Sequence, residues 1–174
     1  MKKLITFITI SIFILGFSFA STPLSNTKAN RKLSLGALWH TTLNQAGGTF
    51  EFGHPVTNLE NKGFLFRNYI TVTGEGKQGF GGVSLGDKIV IGGYIPNKTF
   101  SISSYGFIQI SVGFYSEPEK QFQFYLPLLI GGGFEFQFST YSAFLVEFGG
   151  TFPLIKNDFL KPSPSLTIGY RTYL

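Results

Sequence analysis

The stretch FQFYLPLLIGGGFEFQF, Phe122 to Phe138, carries an apolar residue or glycine at every even position. Successive side chains of an extended chain point to opposite faces. Phe122, Phe124, Leu126, Leu128, Ile130, Phe134, Phe136 and Phe138 therefore share one face, and Gly132 completes it. The odd face reads Gln123, Tyr125, Pro127, Leu129, Gly131, Gly133, Glu135 and Gln137. A helix would scatter this pattern around its axis, so the stretch is a β-strand with one strongly apolar face. What that face meets, a protein core or lipid, decides most of what the chain can be.

The same period returns along most of the chain, and no helical stripe interrupts it. The pattern predicts eight strands, at about 33–43, 47–56, 62–74, 78–95, 99–115, 120–138, 141–154 and 163–174. Within 78–95, Gly86-Asp87 resembles a hairpin turn. Val83, Leu85, Ile89, Ile91 and Ile95 nevertheless keep odd parity across it. A two-residue turn normally reverses that relation, so one bulged strand is expected there. Short connections at Pro96-Asn97-Lys98 and Ser139-Thr140 alternate with longer ones, SEPEK (Ser116–Lys120) and IKNDFLKPSP (Ile155–Pro164). VTNLEN (Val56–Asn61) is longer than this alternation calls for.

Alternation alone suits a soluble barrel as well as a membrane one; the second face separates them. A soluble barrel carries Lys, Glu and Asp along its outward positions, and a soluble surface is about a quarter to a third charged. Here charged residues are 13% of the chain, and the second face is mostly Gly, Ser, Thr, Gln and Tyr. Only Glu51, Arg67, Glu135, Glu147 and Arg171 are charges set well inside predicted strands, with Asp87 and Lys88 at the expected bulge. Small polar residues around a few charges fit a narrow interior. The Phe, Ile and Leu face is therefore expected to point outward, into lipid. Glycines at 113, 133, 149 and 169 would leave luminal space for Tyr and Arg from neighbouring strands.

The chain starts MKKLITFITISIFILGFSFA, with Lys2 and Lys3, an apolar stretch to Phe17, and a small-x-small site ending at Ala20. This is the layout of a secretory signal peptide, residues 1–20, cleaved near Ala20. Residues 21–32 read as a flexible polar segment, and 33–174 as the β-barrel domain. Past the leader, every apolar run is broken too soon for a membrane helix, so membrane entry would require a closed sheet. There is no cysteine, which removes disulfides and thiolate chemistry. The net charge of +5 has no basic run, and nucleic-acid binding is not expected.

The last residues, Thr167-Ile168-Gly169-Tyr170-Arg171-Thr172-Tyr173-Leu174, resemble the C-terminal signal of bacterial outer-membrane β-barrels. That signal has a polar residue, a glycine two further on, and alternating hydrophobic or aromatic residues to the end. The chain departs from it at Leu174, usually Phe, and at Thr172, often aromatic. In length and pattern the rest is similar to the small eight-stranded members of that superfamily. The resemblance implies an all-β, eight-stranded, antiparallel up-and-down transmembrane barrel in the outer membrane of a diderm bacterium. It also implies two partners: outer-membrane lipid, and the outer-membrane assembly machinery acting on the C-terminal strand.

Chemistry is sparse. GEGKQG (Gly74–Gly79) matches G-x-G-x-x-G, but no helix follows to present its N-terminal amides to phosphate, so a hairpin is expected. His40 and His54 lack acidic partners at metal-ligand spacing. No catalytic group, cofactor or metal site is expected. The one candidate cluster is a luminal ion-pair network of Glu51, Arg67, Glu135, Glu147 and Arg171, with Glu147 pairing Arg171 and Arg67 pairing Glu51. Tyr94, Tyr115, Tyr141 and Tyr173 stand near strand ends, where rings mark the lipid–water boundary. The resulting expectation is a structural or interfacial envelope protein with a filled lumen. Its rivals are a soluble exported barrel binding an apolar ligand inside, and a narrow small-solute channel.

Overall fold

The computed structural model describes residues 33–43, 45–55, 64–77, 80–96, 101–116, 122–139, 142–157 and 159–174. The expected signal peptide, the polar segment after it, SEPEK beyond Ser116 and VTNLEN lie outside these residues. The strands are β1 Ser34–Thr42, β2 Ala46–Pro55, β3 Phe64–Lys77, β4 Phe80–Pro96 and β5 Ser101–Ser116. They are followed by β6 Gln123–Tyr125, β7 Pro127–Ser139, β8 Ser142–Pro153 and β9 Ser163–Tyr173. Both β6 and β7 pair with β5 in one unbroken register, from Tyr115↔Gln123 through Ile110↔Leu128 to Ser101↔Gln137. They are two parts of one stave, interrupted only at Leu126.

All pairings are antiparallel, each stave lying beside the next. The sheet closes where β1 meets β9, with Ser34 opposite Tyr173 and Thr42 opposite Ser165. The Leu174 N–H donates to the Leu33 carbonyl (2.8 Å), holding both ends of the barrel at one rim. The result is a closed eight-stave barrel, and closure gives each interior stave hydrogen-bond partners on both sides.

β4 is one strand, as parity requires, but the expected bulge at Gly86-Asp87 is absent. Its register with β3 runs unshifted from Phe64↔Gly93 to Lys77↔Phe80, and that with β5 from Gly81↔Ser116 to Pro96↔Ser101. Gly86 needs no bulge to explain it: it faces inward, where a Cβ would come within 2.1 Å of Ser111 Oγ. Asp87 consequently points outward and Lys88 inward. Of the GEGKQG stretch, Gly74 to Lys77 are strand, and Lys77 pairs with Phe80 of β4.

The direction of the apolar face is clear on every stave. Outward stand Leu35 and Trp39 on β1, Phe50 and Phe52 on β2, and Ile70 and Val72 on β3. β4 and β5 add Val83, Leu85, Ile108 and Ile110; Phe136 on β7, Phe144 on β8 and Tyr170 on β9 complete the belt. Phe50 is 71% exposed and Leu85 59%. An apolar surface continuous around the whole circumference far exceeds the patches that soluble monomers tolerate. The lumen, by contrast, is lined by Thr49, Thr71, Ser84, Ser103, Gln109, Ser111 and Thr167, together with charged groups and tyrosines. The inward apolar side chains are packed among themselves: Leu65, Val90 and Phe107 form one buried cluster with Tyr69 and Tyr105.

Candidate functional site

The inward positions converge on a charged waist in the half of the barrel nearer the termini. Lys88 on β4 donates to Glu51 Oε1 on β2 (2.7 Å) and to both carboxylate oxygens of Glu147 on β8 (2.6 and 2.8 Å). Arg171 on β9 reaches Glu51 Oε2 (2.5 Å) with one terminal nitrogen and Glu135 on β7 with the other. Arg67 on β3 lies 3.6 Å from Glu135 and donates to the hydroxyls of Tyr69 (3.1 Å) and Tyr173 (2.6 Å). Tyr173 in turn donates to Glu135, and Tyr105 to Glu147 (2.9 Å). Three carboxylates and three cations are thus joined in one buried cluster with no net formal charge.

Each cation also lies over an aromatic ring. Arg171 Cζ is 4.3 Å from the centre of Tyr69, Arg67 Cζ 4.7 Å from Tyr173, and Lys88 Nζ 4.8 Å from Phe107. Carboxylates on one side and ring faces on another replace the lost hydration. Arg171 and Lys88 retain only 1% of their exposure.

The five charges singled out from the sequence all lie in this cluster, but their pairing differs from expectation. In place of Glu147–Arg171 and Arg67–Glu51, the contacts are Glu147–Lys88, Arg171 with Glu51 and Glu135, and Arg67–Glu135. The expected pairs assumed contact between neighbouring staves, whereas long side chains in a narrow tube reach across it. Gly36 shows how. It stands opposite both Glu51 and Arg171 in register, and a Cβ there would come within 3.2 Å of Glu51 Oε2. Its bareness lets the two side chains meet over β1. Gly133 plays the same part between Tyr105 and Glu147, with a Cβ 2.8 Å from Glu147 Cγ. Gly113 makes room for Tyr125, as anticipated, while Gly149 and Gly169 meet backbone and Leu38 instead.

Lys88 is the member that sequence reasoning missed. The signal was present: it has the opposite parity to Val83, Leu85, Ile89 and Ile91. Assigning it to a bulge hid that parity.

The other half of the lumen is built from hydroxyls and a cap. Above the waist lies a cavity of about 40 Å³, bordered by His40, Thr49, Thr73, Glu75, Gln109 and Ser111. That is space for a few water molecules. Over it, the β8–β9 connection turns Phe159 and Leu160 into the mouth, each 1% exposed. Phe159 stacks on Tyr115 (4.9 Å between centres) and meets Tyr125 edge-on (5.2 Å). Gln45 donates its side-chain amide to the Phe159 carbonyl (2.7 Å), and Asn157 accepts from the Leu160 N–H (2.6 Å). Of the expected boundary tyrosines, Tyr115 and Tyr173 point inward, on the odd parity of the luminal residues. The side chains of Tyr94 and Tyr141 lie outside the description.

His40 has an acidic neighbour that spacing could not reveal. Its Nε2 is 4.0 Å from Glu75 Oε1, and its Nδ1 is 3.5 Å from the Thr49 hydroxyl. The Thr49 hydroxyl has its shorter contact with Thr73 (3.0 Å). These distances do not make a hydrogen-bonded nucleophile–base relay. Among the described residues no group of three His, Cys, Asp or Glu is placed to hold a metal ion. The side chain of His54 is outside the description.

Two solved structures share this architecture. The crystal structure of the N-terminal β-barrel domain of Pseudomonas aeruginosa OprF matches with a TM-score of 0.54 at 9% identity, covering 83% of this chain and 98% of that one. That of Neisserial surface protein A, NspA, matches with a TM-score of 0.54 at 10% identity, covering 82% and 95%. No protein-family model and no curated protein matches the chain by sequence. The chain has the fold of the small eight-stranded outer-membrane barrels.

Proposed function

We propose that this protein is an integral outer-membrane barrel with a structural or interfacial role in the envelope, non-catalytic and closed to solutes. The observation that carries the reading is the inversion of faces: apolar side chains outward on every stave, and mutually compensated charges inward. Two barriers in series, the capped mouth and the ion-paired waist, support a closed lumen. With the termini at the periplasmic rim, the Phe159 cap would face the cell exterior. The C-terminal strand β9, which completes closure against β1, would be the segment offered to the assembly machinery.

The test is extraction, mobility and conductance on one preparation. The account expects the protein in the membrane fraction, released by detergent and not by osmotic shock. It further expects a gel shift on heating and no discrete conductance in planar bilayers. Release by osmotic shock would return the protein to the soluble class. Discrete conductance from the unmodified chain would make it a channel.

A further inference from the structure

One buried carboxylate in the lumen stands outside the waist cluster. Glu75, on β3, borders the cavity beneath the cap, and its side chain keeps only 8% of its exposure. The waist carboxylates each accept from two different side chains: Glu51 from Lys88 and Arg171, Glu135 from Arg171 and Tyr173, Glu147 from Lys88 and Tyr105. Among the described residues no donor reaches Glu75. Its nearest partner is His40 Nε2 at 4.0 Å, beyond hydrogen-bond reach.

The register shows how Glu75 comes to be enclosed. Gly47 stands between His40 and Glu75 across β2, and Gly82 stands opposite Glu75 on β4. A Cβ at Gly47 would come within 2.8 Å of His40 Cε1, and one at Gly82 within 2.8 Å of Phe159 Cε1. The two bare positions admit the imidazole on one side of Glu75 and the cap ring on the other. A carboxylate buried without a compensating charge is costly, so the pocket favours whatever neutralises it.

The cavity has the chemistry and size for a small cation. The hydroxyls of Thr49 and Thr73, 3.0 Å apart, border it together with Gln109 and Ser111, and oxygen atoms of this kind replace the hydration shell of an alkali ion. Its volume of about 40 Å³ admits water-sized groups and not a solute of many atoms. Lys88, also on its border, is committed to Glu51 and Glu147 and cannot serve Glu75 as well. Because those two carboxylates are likewise committed, Glu75 leaves one negative charge to balance. A divalent ion would overshoot it.

We propose that the capped cavity binds one monovalent cation of about the size of potassium, with the Glu75 carboxylate as its counter-charge and the Thr49 and Thr73 hydroxyls and retained water completing its shell. The inference goes beyond a closed envelope barrel. It rests on the lumen alone, so release of the protein by osmotic shock would strike the membrane reading and leave this one standing.

The probe is potassium chloride against choline chloride at equal ionic strength, which holds screening constant while choline is too large for the cavity. In the unmodified barrel, urea titration should give an unfolding equilibrium constant about tenfold lower in potassium, the factor expected at roughly ten times the dissociation constant. Glu75→Gln keeps the shape and removes the charge. That variant should show equal stability in the two salts, and in choline it should be at least as stable as the unmodified chain. Crystals of the unmodified barrel grown with thallium(I) acetate should show an anomalous peak in the cavity beside Glu75, a readout that does not depend on the variant folding. Equal stability of the unmodified chain in both salts would mean that a proton on Glu75 or His40 supplies the missing charge. The same potassium effect in Glu75→Gln would make it a general salt effect. Either result, or a cavity without thallium, would overturn the proposal.

Discussion

The two halves of the lumen close the barrel by different means. At the waist, closure comes from strand-borne side chains, with Lys88, Arg67 and Arg171 interlocked with Glu51, Glu135 and Glu147. At the mouth it comes from a connection, with Phe159 and Leu160 seated on Tyr115 and Tyr125 over a small hydroxyl-lined cavity. The first is electrostatically all-or-none: removing one cation leaves its carboxylates buried and under-compensated. The second is apolar and modular: removing a ring uncovers a cavity but strands no charge. The waist should therefore govern stability, and the mouth should govern access.

The sharpest way to break this contrast is Lys88→Met. Glu51 and Glu147 would lose their shared ammonium, and breaking a buried pair costs about 3–5 kcal/mol. Urea titration of the barrel in vesicles should show a loss of that size. Arg171→Leu should come close behind, because Glu51 would keep Lys88 and Glu135 would keep Arg67 and Tyr173. Loss of conductance block without loss of stability in that variant would show a tuned constriction instead of a structural plug. Next comes Phe159→Ala, which should cost about 2 kcal/mol, the worth of burying one such ring. Its larger effect should be on access: in a Thr49→Cys background, it should speed labelling by a membrane-impermeant thiol reagent while conductance stays absent. Smallest is Lys161→Ala on the same connection, an exposed residue whose loss should change stability by less than about 0.5 kcal/mol.

Much of this contrast was legible in the sequence, and what was not has physical causes. Period-two parity located every stave to within a few residues, and it placed Glu51, Arg67, Glu135, Glu147 and Arg171 opposite the apolar faces. Parity does not say which charges touch. That depends on how the staggered staves bring inward residues to one level, and on bare positions such as Gly36 that let side chains cross. The pairs of Arg171 with Glu51 and Glu135 follow from the closed tube, not from strand adjacency. Lys88 was lost to an expected bulge, although its parity already placed it inside. Phe159 and Leu160 were hidden by their setting: KNDFLKPSP reads as a polar solvated loop, and only the assembled mouth shows an aromatic seat for the ring. Tyr115 and Tyr173 were read by nearness to strand ends, where parity was the better guide.

Everything above depends on the Phe-rich face meeting acyl chains. The most direct measurement is a spin-label scan along β7 in vesicles, from Leu128 to Phe138, comparing collisions with dissolved oxygen and with a polar nickel chelate. The account predicts a period of two, with the even positions rich in oxygen and shielded from nickel, and the odd positions poor in both. Nickel-accessible labels at Phe134, Phe136 and Phe138, or no alternation, would contradict it.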